Sequence, residues 1–145
     1  IKMNKLFFIL FLFISCLKSD DNLKTKLYGR ELWDSLEITD YSMIQQMSCY
    51  CFPQEIIFPK KIIVKNDKIK TIDGELINKF DWHISFKTVE ELFDFIEYKI
   101  DKNPEEHIVI YNEKYGYPEE IYFDMSFLIA DEEIGYYITN FKIDQ

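Results

Sequence analysis

Residues 88–101 read TVEELFDFIEYKID, and this stretch decides the fold. Thr88 can accept a hydrogen bond from the backbone three residues on, and Glu91 can reach back to the backbone of Thr88. That pairing is a capping box, a start signal for a helix. Val89, Leu92, Phe93, Ile96 and Ile100 then recur at helical spacing and predict one apolar stripe. Asn103-Pro104 ends the helix, because the residue before a proline is pushed out of helical geometry.

Three strand signals precede this helix and three follow it. Tyr41 to Cys51 alternates, with Tyr41, Met43, Met47, Cys49 and Cys51 on one face and Ser42, Gln46 and Ser48 on the other. Pro53 closes that strand. Ile62 to Val64 and Ile69 to Ile72 flank Asn66-Asp67, two residues that tolerate the left-handed backbone of a tight hairpin. Asp73-Gly74 marks another turn. After the helix come His107 to Tyr111, Glu120 to Met125 and Ile134 to Ile143. In the last, Tyr137, Thr139, Phe141 and Ile143 alternate with Tyr136, Ile138 and Asn140. Arg30 to Leu36 predicts a first short helix, with Leu32, Trp33 and Leu36 on one side.

The element order is therefore helix, three strands, helix, three strands. Short turns between consecutive strands favour antiparallel meanders over parallel crossovers. The expectation is an α+β fold: an antiparallel sheet of about six strands with both helices on one face. In outline this resembles the small periplasmic modules of the PepSY and β-lactamase-inhibitor type. Such a likeness of layers carries no function.

The N-terminal region speaks to location. Met3-Asn4-Lys5 is basic, Leu6 to Ile14 (LFFILFLFI) is an unbroken apolar run, and Ser15-Cys16 follows. This reads as a signal peptide over residues 1–15. The run is well short of the roughly 20 residues a membrane-crossing helix needs. Phe13-Ile14-Ser15-Cys16 resembles the lipobox of bacterial lipoproteins, which makes Cys16 the acylated first residue of the mature chain. Residues 16–26 then form a polar tether, with Asp20-Asp21 resembling the acidic tethers of some surface lipoproteins. Residues 27–145 are one domain. The net charge of −9 becomes more negative once Lys2 and Lys5 are removed. Such a chain is repelled by phosphate backbones and anionic headgroups, so nucleic acid is excluded as a partner and the lipid is the membrane contact.

From Trp33 onward an ordered set of motifs recurs: Trp33, Tyr41, Cys49-Tyr50-Cys51 and Pro53, then Ile108-Val109-Ile110-Tyr111 and Tyr115-Gly116-Tyr117-Pro118. Ile121, Asp124, Asp131-Glu132-Glu133 and Tyr137 to Phe141 complete it. With these the chain resembles a family of bacterial secreted proteins and lipoproteins designated domain of unknown function sixty-one seventy-four. It departs from that pattern in having Phe52 before Pro53 and in the Asn66-Asp67-Lys68 turn, which lacks the usual glycine. The resemblance implies a shared fold and an envelope location, and no activity.

Few residues point to chemistry. Cys49 and Cys51 form an even pair in an oxidising compartment. On a regular strand, residues two apart sit about 6.6 Å from each other, whereas a disulfide brings Cβ atoms to about 3.8 Å. A Cys49–Cys51 bond therefore requires the strand to bend, and the alternative is two small apolar residues on a core face. His83 and His107 could join the cysteines around zinc, but the spacing matches no zinc module. Asp124, Asp131, Glu132 and Glu133 could gather around calcium, or could be the charged tip of a solvated hairpin. Nucleophile elbow, phosphate loop and His-Glu-x-x-His motif are all missing, and no cofactor is implied. Three readings of function stay open: a non-enzymatic module binding an envelope protein or peptide through its sheet or aromatic loops, a small thiol–disulfide redox or other envelope enzyme using Cys49 and Cys51, and a purely structural lipoprotein.

Overall fold

A computed structural model describes residues 28–50, 54–77 and 85–144. Helix α1 spans Arg30–Leu36 and α2 spans Val89–Asp101. The strands are β1 (Tyr41–Cys49), β2 (Lys60–Lys65), β3 (Lys68–Ile72), β4 (Glu75–Leu76), β5 (Glu106–Tyr111), β6 (Pro118–Asp124) and β7 (Ile134–Ile143), with a 3-10 turn at Gln54–Ile57. All pairs are antiparallel, in the order β4-β3-β2-β1-β7-β6-β5. The α+β class holds, with seven strands in place of six. The addition is β4, a two-residue strand that folds back from Asp73-Gly74.

Local chemistry explains these elements. The hairpin residues Asn66 and Asp67 have φ of 50° and 58°, the twist that two-residue hairpins select. Thr88 caps α2 from its side chain, accepting from Glu91 N at 3.2 Å, and Thr88 N donates to Glu91 Oε2 at 2.7 Å. Asn103 takes a left-handed φ of 56° and donates its N–H to Ile100 O at 2.9 Å, which closes the helix before Pro104.

Both helices cover the same face of the sheet. Trp33 of α1 packs edge-on against Tyr41 at 5.5 Å and donates from Nε1 to Glu90 of α2 at 2.6 Å. Tyr41 in turn accepts from Val89 N at 2.8 Å. Val89, Leu92, Phe93 and Ile96 are buried against the sheet, but Ile100, in the last turn, is half in water. Leu36 likewise faces solvent; Trp33 is the buried anchor of α1, and Arg30 ties the helix to Asp94 and Glu97 of α2.

The alternation in β7 breaks where the sequence pattern shows nothing. Ile44 pairs with Thr139 while Ser42 pairs with Lys142, so an extra residue is accommodated there. Asn140 takes φ 51°, the left-handed step of a bulge. The bulge turns Phe141 to the same face as Tyr136 and Ile138, contrary to strict alternation. There it stacks on Tyr117 at 4.3 Å and meets Tyr41 at 5.2 Å.

Candidate functional site

The two edges of the sheet differ in kind. One is β4, only two residues long, beside a β3 that carries Lys68 and Lys70. A short strand and lysines are the usual protections of an open edge. The other is β5, six residues reading EHIVIY, with no lysine and no proline. Its outer side chains, Ile108 and Ile110, are 42% and 45% exposed. They lie on the face the helices leave bare, next to Tyr122 and Glu120 of β6, and Glu120 pairs in turn with Tyr137 of β7. Among the described residues no strand pairs with the outer side of β5, so every second residue there turns its N–H and C=O outward.

Acidic side chains gather at the start of this edge. Glu106 pairs with Asp124 across the β5–β6 ladder, and Glu132 and Glu133 stand just before β7. Burial first, and then the carboxylates of Asp124, Glu133, Glu106 and Glu132, push the Tyr122 hydroxyl above its ordinary pKa. By register, Glu106 and Asp124 lie one outer-face position beyond Ile108 and Tyr122, and Glu133 directly precedes the Ile134 that pairs with Phe123. One oxygen of Glu132, Oε1, is shielded from water and accepts no hydrogen bond. The loop between β6 and β7 adds Phe127, Leu128 and Ile129, all exposed.

The cysteine–histidine grouping comes apart. Cys49 ends β1 and packs against the core cluster. Cys51, Cys16, His83 and the segments 1–15 and 16–26 lie outside the described residues. His107 stacks on Phe123 at 5.8 Å. The register runs Cys49, Ile134, Phe123, His107 across four neighbouring strands. Three strand spacings put His107 about 14 Å from Cys49, too far to share an ion. Among the described residues no three His, Cys, Asp or Glu side chains come close enough to hold a metal, and Asp124 Oδ1 accepts from Ser126 N at 3.0 Å.

Other features belong to the scaffold. A hollow of about 480 Å³ lies between the 66–67 hairpin and the start of α2, lined by Lys68, Ile69, Phe86, Thr88 and Glu91 among others. Thr88 and Glu91 there are engaged in the capping box. Tyr117 packs on Phe141, and desolvation followed by the charge of Glu119 pushes its hydroxyl up to about 12. Sequence reasoning missed Gln45, a fully buried amide on the core face. Its Nε2 donates to Lys87 O and its Oε1 accepts from Lys87 N, both at 2.9 Å. An apolar strand pattern interrupted by one glutamine is the trace it leaves in the sequence.

No curated protein and no solved structure matches the chain significantly. A family model described as "Family of unknown function (DUF6174)" matches residues 27–143, nearly the whole folded domain, and the chain belongs to that family.

Proposed function

We propose that the chain is a lipid-anchored cell-envelope protein whose domain binds an extended segment of another envelope protein or peptide along its sheet, with no catalysis of its own. The observation that carries the reading is the unprotected β5 edge with Ile108 and Ile110 in water. Adding a strand to such an edge satisfies its outward backbone groups and covers its apolar side chains together. The leader sequence ending in Ser15-Cys16 supports acylation at Cys16 and delivery to the envelope. A Cys49–Cys51 disulfide fits the same compartment. β1 stops at Cys49, and Tyr50 lies in a bend, which supports the departure from strand geometry that such a bond needs.

Photocrosslinking in cells that export the chain tests this. A benzophenone side chain at position 110 is expected to capture a partner, and one at position 76, on the opposite edge, is not. The same chain weighed intact from membranes is expected to begin at Cys16, to carry acyl chains, and to gain two hydrogens at the 49–51 pair on reduction. Equal capture from both positions, or a mass that keeps residues 1–15, counts against the reading.

A further inference from the structure

We propose that the occupant of the β5 edge is a cationic extended segment, with small apolar residues opposite Ile108 and Ile110 and lysine or arginine beyond them. This rests on the strand-binding reading above and names the chemistry of the partner. A strand laid against β5 places alternate side chains beside Ile108 and Ile110 on the helix-free face. Beyond Ile108 the next outer-face position is Glu106, opposite Asp124. Glu133 stands at the same end, directly before the Ile134 that pairs with Phe123, and Glu120 flanks Ile110. A cation there is drawn to the exposed carboxylate of Glu106 and the negative charge beside it, whereas an anion is repelled. The same charge disfavours a second copy of the chain, itself at −9. The unequal edges point the same way: the lysines lie on β3, where they deter pairing, and β5 has none.

The test uses the full chain and three fluorescent capped octapeptides. Each has a central Val-Thr-Val-Thr, flanked on both sides by two lysines, two serines or two glutamates. Anisotropy titration is expected to show the lysine peptide binding at least about tenfold tighter than the serine peptide, with affinity falling as salt rises. The glutamate peptide is expected not to bind. Ile108→Lys with Ile110→Lys is expected to abolish binding, and Leu76→Lys on the far edge to leave it unchanged. Glu106→Lys, an exposed change that spares the core, is expected to weaken the lysine peptide and strengthen the glutamate peptide. If serine and lysine peptides bind alike and both are lost in the double variant, the cationic partner is overturned and the edge reading survives. Binding that ignores the changes in β5 overturns the site. No binding with a dimer in sedimentation makes a second copy the occupant and overturns the proposal. No binding by a monomer overturns the edge reading as well.

Discussion

Alanine at position 116 is expected to cost about 4 kcal/mol of folding stability, through left-handed backbone strain and backbone overlap. Gly116 has φ 82°, and a Cβ there would lie 2.4 Å from Gly29 O and 2.8 Å from Trp33 N. Neither atom can withdraw alone. Trp33 N donates to Gly29 O in the first turn of α1, and Gly116 N donates to Asn112 O in the loop between β5 and β6. The added methyl must push α1 off the sheet, taking Trp33 out of its contacts with Tyr41 and Phe141. Gly74 supplies the internal control. It has the same φ of 82°, but its Cβ would meet nothing within 4 Å, so Gly74→Ala is expected to lose only the conformational part, about 1 kcal/mol. Urea titration of both variants separates backbone strain from collision. Equal midpoint shifts at 74 and 116 would show that the seat of α1 is not tightly fitted.

Leucine at position 45 is expected to cost about 3 kcal/mol, because it keeps the volume and removes both hydrogen bonds. The amide of Gln45 holds Lys87 N and Lys87 O at 2.9 Å each, immediately before the Thr88 cap. In effect the side chain acts as one more rung of backbone pairing and fixes the point from which α2 sets out across the sheet. Tyr41, four positions earlier on the same face, holds Val89 N in the same way. Leucine leaves two polar groups of Lys87 facing an apolar side chain. A denaturation midpoint unchanged by Gln45→Leu would mean that Lys87 finds other partners and that the glutamine is incidental.

The parts of this fold that could be read from residues alone are the ones set by short-range chemistry. The capping box at Thr88 and Glu91, the Asn66-Asp67 hairpin and the stop at Asn103-Pro104 each depend on neighbours a few positions away. The seventh strand escaped because Glu75-Leu76 is too short for a period to declare itself. The bulge at Asn140 escaped because asparagine enters the left-handed region in many contexts, and only pairing with β1 shows that a residue is extra. Gln45 looked like a gap in the pattern because its partners at Lys87 are 42 residues away. The separation of His107 from Cys49 depends on which strands are neighbours, a property of the whole sheet. The candidate site was hardest to foresee. EHIVIY reads like a buried strand, yet the order of strands places it at an edge, and its isoleucines point to water.

Backbone amide exchange along β5 in the free chain, repeated with the lysine-flanked peptide, tests the open edge most directly. Alternate amides between Glu106 and Tyr111 are expected to exchange rapidly in the free chain, because they point away from β6, and to become protected when the peptide binds. Uniform protection of all six residues without peptide, or protection that appears elsewhere and leaves β5 unchanged, would contradict a strand-accepting edge.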